Sequence, residues 1–439
     1  MPEFLSNGFE QEKITDGEHK EVERLEEEIK EKIPQFLTDT SEVFDICRAP
    51  VEVGIAFYAS DPKTRYPWIY SRDFSCLIHG LAELKDFQSA KEGCRFLLSC
   101  QLENGQWVQR YDEKRERKDA KVQEDCTPLS IWAILSYIRE SEDLEFAKEV
   151  EPQLRKAANH IEDENIENLK KYSLVHSTTS LHEAFDPETK EPINKGFEVW
   201  NNSVTVKAFE LLDEVYHDQH FRGLAEQIES GIKTQLVNEG RFIRRLTDNG
   251  KKDLAPDIMS LAPTYFGIFD EPEMQEINKN TIDYLYENLW DKELGGMRRL
   301  PGYDCEEEHP GYQGTLDPLL PGPWIFYTAW LAQDYIKVGN RERGIEILYW
   351  ILDQRQQGKL AEHLVSKENF IKYGNREREY HEATKKGQPL ESAFKNLDLM
   401  AEQVKIQDKL NYSWPLAWSH LETLRALNVA GLISEFKIH

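Results

Sequence analysis

Pairs of helices recur along this chain, and within each pair an apolar helix precedes a more charged one. TPLSIWAILSYIRES is followed by DLEFAKEVEPQLRKAANHI, and PWIFYTAWLAQDYIKVG by RERGIEILYWILDQRQ. In both first members the apolar residues recur three and four positions apart, which is the period of a helix. The apolar–polar alternation typical of strands is nearly absent. The sequence therefore predicts an all-α fold built from helical hairpins.

The spacing of these pairs favours a closed ring over an open array of repeats. Helical solenoids repeat at regular periods of about 34 to 47 residues. Here the apolar helices begin at longer and uneven intervals, near residues ~72, ~126, ~202, ~257, ~323 and ~416. We therefore predict an (α/α)6 barrel, a six-hairpin toroid with the apolar helices inside. Its last helix, AWSHLETLRALNVAGLI, is expected to pair with the N-terminal segment near SEVFDICRAPVEVGIAFYA.

The N-terminal region carries a charged amphipathic helix, GEHKEVERLEEEIKEKIP, at residues 17–34. We expect this helix to end at Pro34, because proline lacks an N–H group and clashes with the preceding turn. The chain is accordingly divided into a charged helical extension, residues 1–40, and the barrel, residues 41–439.

The charge balance restricts the partners that this chain can bind. Its formal net charge is -26, from 54 Lys+Arg against 80 Asp+Glu. That excess of negative charge argues against binding to nucleic acid or to an anionic membrane. No apolar run is long enough for a spanning helix, and the polar, acidic N-terminus lacks the features of a signal peptide. We expect a cytoplasmic protein.

The six cysteines show neither a CxxC pair nor regular spacing, and several fall on apolar helix faces. This pattern favours buried, reduced thiols over disulfides. Cys and His residues also do not cluster at the spacing of zinc ligands. The sequence predicts no metal site and no cofactor.

In such a ring the long loops emerge on one face, immediately before the inner helices. The six inner helices begin WIYSRD, QEDCTP, VWNNS, APDIMS, PGPW and PLAWSH. Helix capping could explain Asp125, Asn202 and Asp257, but not the Trp and Arg residues at equivalent positions. Carboxylates, amides and indoles together suit a sugar, whose apolar face stacks on aromatic rings and whose hydroxyls bind polar groups. We expect an oligosaccharide or small glucoside as ligand.

Six segments between about residues 60 and 433 resemble, in order, motifs of the catalytic domain of glycoside hydrolase family 15, the glucoamylases, glucodextranases and related trehalases. They are YPWIYSRD, GQWVQRY with QEDCTPLSIWAI, GGMRRLPGYD, PGPWIFYTAWLA, GKLAEH and PLAWSH. The resemblance implies an (α/α)6 barrel and hydrolysis of an α-glucoside with inversion of the anomeric centre.

The resemblance also implies roles for individual residues. Glu362 matches the general base that activates water. Arg72 and Asp73 match the pair that holds the outer hydroxyls of the terminal glucose, and Arg299 matches an arginine that reaches the same ring. Trp324 and Trp418 match aromatic walls. Five other residues at the same helix starts or motifs complete the expected substrate-binding set: Trp107, Asp125, Trp200, Asn201 and Asn202.

The chain departs from the family at the general acid. The family motif reads D-x-W-E-E, whereas this chain has EVWNN, so Asn201 and Asn202 replace the acid and its companion. An inverting hydrolase needs one carboxylic acid and one carboxylate base, and an amide donates no catalytic proton at pH 7. We therefore expect a relocated acid, with Glu198 as the first candidate and Glu124 and Asp125 as nearby alternatives.

Two other interpretations stay open beside that of an active hydrolase. The protein could be a catalytically silent relative that binds a glucan or sugar, or an enzyme whose unusual substrate needs no protein acid. A lyase-like pair formed by His309 with Tyr303 or Tyr312 fits the sequence less well. Whether the chain is an enzyme thus depends on whether an acid stands near Glu362.

Overall fold

The computed structural model describes residues 16–63, 66–116, 123–178, 181, 195–301, 321–384 and 390–438. The sequence-based candidates Tyr303, Cys305, His309 and Tyr312 lie outside the described residues. The α-helices are α1 (Asp16–Cys47), α2 (Ser71–Glu83), α3 (Phe87–Ser99), α4 (Cys126–Ser141), α5 (Leu144–Tyr172), α6 (Val199–Tyr216), α7 (Gln219–Gln235), α8 (Ala262–Phe266), α9 (Pro272–Leu289), α10 (Ile325–Lys337), α11 (Arg341–Asp353), α12 (Lys367–Thr384), α13 (Leu390–Gln403) and α14 (Ala417–Val429). A 3-10 turn, Ile258–Leu261, leads directly into α8.

The strands of the described part are at most four residues long and form small antiparallel pairs beside the helix ends. They are β1 (Arg48–Ala49), β2 (Ala56–Phe57), β3 (Ile69–Tyr70), β4 (Arg110–Tyr111), β5 (Gly196–Glu198), β6 (Val237–Asn238), β7 (Arg241–Phe242), β8 (Arg245–Thr247), β9 (Lys252–Asp253), β10 (His363–Ser366) and β11 (Lys409–Tyr412). The pairs are β1 with β2, β3 with β4, β6 with β7 and β10 with β11, while β5, β8 and β9 form one three-stranded sheet.

Six inner helices form a closed ring. Each packs against the next in the order α2, α4, α6, α8, α10 and α14, and α14 returns to pack against α2. An outer helix follows each of the first five in the chain, namely α3, α5, α7, α9 and α11. Inner helices α4 and α10 are buried on nearly every face, as the all-round apolar character of their sequences requires. The predicted all-α (α/α)6 barrel is confirmed.

The sixth outer helix is α1, which packs against α14 and α11. Its residues Leu25, Ile29, Ile33 and Phe36 recur at helical spacing and are buried. The expected end at Pro34 is wrong, because α1 continues through this residue to Cys47. Burial of the apolar side chains beyond the proline offsets its cost of about 3 kcal/mol. The predicted division at residue 40 falls within this one helix.

A cluster of buried charges lies inside the ring, near the last turns of α2 and α14. The Arg425 guanidinium donates to Glu422 at 2.9 Å, to Glu83 at 2.5 Å and to the Tyr265 hydroxyl at 2.6 Å. Tyr265 in turn donates to Glu422 at 2.9 Å. Burial alone would lower the pKa of Arg425, but the carboxylates of Glu422 and Glu83 outweigh it and raise that pKa. The cluster therefore joins α2, α8 and α14 across the interior through buried hydrogen bonds and ion pairs.

Replacement of Arg425 by methionine is expected to lower the free energy of unfolding by about 3–5 kcal/mol, because it leaves Glu422 buried without its cation. Urea unfolding followed by circular dichroism measures this difference. Lys405→Met is the control, since the Lys405–Glu402 ion pair is exposed. Its loss is expected to change stability by less than about 1 kcal/mol. An Arg425→Met variant as stable as this control would contradict a stabilising role of the buried cluster.

The five described cysteines, Cys47, Cys76, Cys94, Cys100 and Cys126, are buried and unbridged. Burial raises the pKa of Cys76 and Cys94 well above the ordinary thiol value, so these two thiols are unreactive.

Within the described ranges, no group of His, Cys, Asp or Glu side chains is arranged to hold a metal ion. None of the helices that the structure describes is both long and apolar enough to cross a membrane.

Candidate active site

The inner helices all begin at the same mouth of the ring. At this mouth, Arg72 in the first turn of α2 contacts Asp125, which immediately precedes α4, and Asp125 contacts Trp200 in the first turn of α6. At the opposite end, Glu83 and Arg425 join the last turns of α2 and α14. The helices are therefore parallel, and their N-terminal ends direct positive dipole ends towards one opening.

Asp125 organises one side of this mouth. Its carboxylate accepts two hydrogen bonds from the Arg72 guanidinium, at 2.8 and 3.1 Å, and one from the Trp200 indole at 2.9 Å. Arg72 also donates to Gln123 at 2.8 Å. Although Asp125 stands at the N-cap of α4, its side chain does not cap the helix. The capping interpretation is therefore wrong for Asp125, but it is confirmed for Asp257, whose carboxylate accepts from Met259 N–H at 2.8 Å.

Asn202 has a structural role that its sequence position did not reveal. Its amide oxygen accepts from Val175 N–H at 2.8 Å, and its amide nitrogen donates to the carbonyls of Val175 at 3.0 Å and Glu198 at 2.8 Å. It lies inside α6 and not at the cap, where Glu198 stands. Asn202 thus fastens the chain after α5 to the first turn of α6, and capping is the wrong explanation for it.

An Asn202→Asp substitution is expected to lower the free energy of unfolding by at least about 1–3 kcal/mol, the cost of an unsatisfied buried polar group. The new carboxylate would face two carbonyl oxygens to which the amide now donates. Thermal and urea unfolding test this expectation. Asn340→Asp is the matched control, because the exposed Asn340 side chain accepts from Arg343 N–H at 3.1 Å and a carboxylate can accept in the same way. Equal stability losses in the two variants would contradict the fastening role of Asn202.

Asn201 points away from Asn202, into a cavity between α4, α5 and α6. Consecutive helical residues are rotated by about 100°, so two neighbouring amides face different surroundings. Asn201 is buried, with 2% of its surface exposed. It shares the cavity with Thr205, four residues later on the same face of α6.

Glu198 is the fully buried carboxylate that ends β5 and precedes α6. Its Oε2 accepts from the Ser177 hydroxyl at 3.0 Å. Across the sheet it pairs in register with Arg245 of β8. Burial and the neighbouring Arg244 lower the pKa of Arg245, while Asp253 and Glu198 act in the opposite direction. Glu198 therefore stands beside a cation at the same mouth as Asp125.

Glu124 is the second carboxylate near this position. It accepts from the Thr178 hydroxyl at 2.5 Å and also lines the cavity that contains Asn201. Glu198 is fully buried at the start of an inner helix, whereas Glu124 is partly exposed in the seam between helices. The two candidate acids thus occupy different environments.

Glu362 lies at the same mouth, where the chain runs from α11 into β10. Its backbone carbonyl accepts from Ile325 N–H, the first residue of α10, at 3.0 Å. Its N–H donates to the carbonyls of Tyr412 and Ser413, each at 3.1 Å. Glu362 is 8% exposed, unlike a glutamate in a surface loop. The Tyr66 hydroxyl lies 3.1 Å from both carboxylate oxygens, so it donates to Glu362 and orients it.

Residues 367–410, to which the sequence assigned no role, contain α12 and α13 and return the chain through β11. They form a small apolar cluster of their own with β10 and β11, which includes Val365, Leu397, Met400 and Tyr412. Because β11 pairs with β10 and Tyr412 also binds the Glu362 backbone, this excursion supports the Glu362 segment.

The WSH sequence at the start of α14 holds the segment just before Glu362. Ser419 donates to the Ala361 carbonyl at 2.7 Å, and His420 Nε2 accepts from Leu360 N–H at 2.9 Å. Burial lowers the pKa of His420 to about 3, so its ring is neutral and its Nδ1–H donates to the Thr40 hydroxyl at 2.9 Å. A residue of α1 thereby contributes to the support of Glu362.

Two aromatic residues line the mouth beside Glu362. The Trp324 ring, at the start of α10, stacks on His363 with centroids 4.7 Å apart and planes inclined by 15°. The Arg299 guanidinium carbon lies 5.0 Å from the centroid of Trp324. Trp418 stacks on Phe326 at 4.1 Å. Trp324, Arg299 and Trp418 are therefore grouped around the start of α10, on the same side as Glu362.

The remaining sequence candidates lie at different depths. Asp73 is partly exposed in the first turn of α2. Trp200 is fully buried and stacks on Trp330 at 5.2 Å inside the ring. Trp107 is also fully buried, and its indole donates to the Leu97 carbonyl at 2.7 Å, a contact that fastens its loop to α3. Sequence reasoning missed Tyr66, although this tyrosine begins the first motif, YPWIYSRD.

Solved structures with a similar fold include glycosidases, at low sequence identity. A wild-type glycosidase aligns over 96% of this chain and 100% of its own, at 16% identity and a TM-score of 0.60. A glutamate-to-alanine glycosidase variant in complex with glucose aligns over the same shares, at 15% identity and a TM-score of 0.61. A bacterial glucoamylase complexed with acarbose aligns over 86% of this chain and 53% of its own, at 14% identity and a TM-score of 0.56.

A further neighbour comes from a family of metal-independent α-mannosidases, as a Streptococcus pneumoniae complex with α-1,6-mannobiose. It aligns over 95% of this chain and 99% of its own, at 10% identity and a TM-score of 0.58. No protein-family model matches the chain, and no curated protein matches its sequence. At these identities the likeness shows the fold, which is the (α/α) barrel of glycoside hydrolases.

Proposed function

We propose that this protein is an inverting glycoside hydrolase, related to family 15, that acts on an α-glucoside or a small oligosaccharide. Glu362 is the general base and Glu198 the relocated general acid. The observation that carries the proposal is the pair of buried glutamates at one mouth of the ring, with the carboxylate of Glu362 oriented by Tyr66.

The chemistry follows from the two carboxyl groups. Glu362 accepts a proton from a water molecule as that water attacks the anomeric carbon. Glu198 donates its proton to the glycosidic oxygen as the bond to the leaving group breaks. The product carries the inverted configuration, and proton exchange with water restores both carboxyl groups. Glu198 is fully buried and accepts a hydrogen bond from Ser177, which orients its carboxyl group.

Residue types in the neighbouring glycosidase agree with this assignment. Its solved variants replace a tyrosine by phenylalanine and two later glutamates by alanine, and one glutamate variant contains glucose. Tyr66, Glu198 and Glu362 are a tyrosine and two glutamates in the same chain order. The surroundings of the amide pair also favour a relocated acid, since Asn202 is fastened to Val175 and Asn201 faces a lateral cavity.

A catalytically silent sugar-binding protein is the second candidate. The observation in its favour is the presence of two amides, Asn201 and Asn202, where the related family has carboxylates. Such a protein would keep the aromatic walls formed by Trp324 and Trp418 and would bind a sugar without cleaving it.

The test is release of free sugar from maltose, isomaltose, trehalose, dextrin and α-1,6-mannobiose between pH 4 and 8. For any substrate that is cleaved, proton NMR during the first minutes identifies the anomer formed. Turnover with β-anomer formed first from an α-glycoside is the expected result. First formation of the α-anomer would overturn inversion, and sugar binding without turnover would establish the silent candidate.

A further inference from the structure

We propose that the protein has a second carbohydrate-binding site, outside the ring, in a trough along α5 whose inner end is Asn201. The trough is defined by two adjoining cavities. The inner cavity lies between α4, α5 and α6, and the outer groove lies at the C-terminal end of α5. The proposal is independent of the catalytic roles of Glu362 and Glu198.

The inner cavity has a volume of about 360 Å³. This is within the range of about 300–1,000 Å³ that is typical of small-molecule sites. Asn201 belongs to the lining of this cavity. Its amide oxygen is buried and makes no hydrogen bond to the described residues. A buried acceptor of this kind costs about 1–3 kcal/mol unless a donor reaches it. A ligand hydroxyl is such a donor.

The lining of this cavity is polar, although seams between packed helices are normally apolar. Glu124 contributes a carboxylate, His160 an imidazole and Thr178 a hydroxyl, while Pro128 and Ile161 add apolar surface. Donors and acceptors are thus mixed around a small apolar patch. Sugar hydroxyls both donate and accept, and the C–H face of a pyranose needs an apolar surface, so a sugar matches both features.

The outer groove, of about 620 Å³, shares the lining residues Asn168 and His176 with the inner cavity, so the two adjoin. Tyr172 and Phe197 form an aromatic pair in it, with ring centroids 4.6 Å apart and planes inclined by 49°. His176 meets the Phe197 ring edge-on at 5.4 Å. Phe197 is 2% exposed, so the partly exposed Tyr172 ring supplies the surface on which a sugar ring would stack.

The charges along the groove select against an ionic ligand. The groove lining includes two lysines, Lys170 and Lys171, and two carboxylates: Glu167 pairs with Lys170 at 2.8 Å on the same helix, and Asp248 pairs with His176 at 2.6 Å. Because the two signs are balanced, neither a phosphate nor a metal ion is favoured. A neutral oligosaccharide, with one sugar unit in the inner cavity and further units along Tyr172, fits volume, polarity and charge together.

The experiment uses the full chain carrying Glu362→Gln, so that the sugar is not cleaved, with maltotetraose as the probe. Binding is measured by calorimetry, and its location by hydrogen exchange of residues 164–178. Added sugar is expected to protect this segment. Tyr172→Ala removes stacking surface, and His160→Leu removes a polar contact. Each variant is expected to raise the sugar concentration needed to protect residues 164–178 at least tenfold.

Tyr284→Ala is the matched control. Tyr284 is a partly exposed tyrosine of α9 that lies away from the trough, with the Arg241 guanidinium over its ring. Because two trough variants are measured, Tyr172→Ala and His160→Leu, the test remains decisive if one of them fails to fold. Absence of protection at residues 164–178, or protection unchanged in both trough variants, would overturn the proposal.

Turnover by the chain with Glu362 intact separates this proposal from the catalytic one. If sugar protects the trough but no substrate is cleaved, the second site stands and the hydrolase does not. If substrates are cleaved and the trough is never protected, the hydrolase stands and the second site does not.

Discussion

Replacement of Glu362 by glutamine is expected to lower turnover by about 10²–10⁴-fold, the contribution of a general base, while sugar binding changes little. Glutamine preserves the size of the side chain and can still accept from Tyr66, but it cannot take a proton from water. The loss should therefore appear in kcat and not in KM. Initial rates on the best substrate of the panel, with calorimetry for binding, measure both quantities.

Glu368→Gln is the control for this experiment, because Glu368 is an exposed glutamate only six residues away. Its rate should equal that of the unchanged protein. If Glu362→Gln retained more than a tenth of the turnover, Glu362 would not be the base. Some other carboxylate at the mouth would then have to activate the water.

Replacement of Glu198 by glutamine is expected to lower turnover by a similar factor, about 10²–10⁴, on substrates with a sugar leaving group. The dependence on the leaving group distinguishes the acid from the base. A substrate such as an α-glucosyl fluoride needs little proton donation, so Glu198→Gln should regain most of its rate on it. Glu362→Gln should not, because water still needs a base. Steady-state rates for both variants on both substrate types test this pattern.

Glu124→Gln is the informative comparison, since Glu124 is the other nearby glutamate and binds Thr178. We expect it to behave like the unchanged protein on both substrate types. If Glu124→Gln showed the leaving-group dependence and Glu198→Gln did not, the acid would be Glu124. If neither variant showed it, the proton would come from elsewhere.

The ring could be predicted from the sequence because its cause is local. Apolar residues three and four apart define each inner helix, and this period is visible without any knowledge of tertiary contacts. Two elements differ from the expectation for non-local reasons. Helix α1 continues through Pro34 because packing on α11 and α14 outweighs the local cost. The inner helix near Pro263 is short and starts as a 3-10 turn, since this proline and Gly267 delimit it.

The candidate site was only partly predictable. Glu362 could be found from its motif, but its contact with Tyr66 spans 296 positions in the chain, which no local pattern encodes. The amides Asn201 and Asn202 illustrate the same limit. In the sequence they form a pair, whereas the helix rotates one towards Val175 and the other into the α4–α5–α6 cavity. Which way each faces depends on the packing of α6.

The sixth hairpin pairs α1 with α14, the first and last described helices, and this pairing has a consequence for synthesis of the chain. About 370 residues separate these two helices, so at about 5–20 residues per second the ribosome needs roughly 20–70 s between them. During that interval Phe36, which stacks on His420 in the finished ring, has no α14 to cover it. The apolar face of α1 therefore lacks its α14 partner until the final helix emerges, and we expect the nascent chain to be most prone to aggregation in that interval.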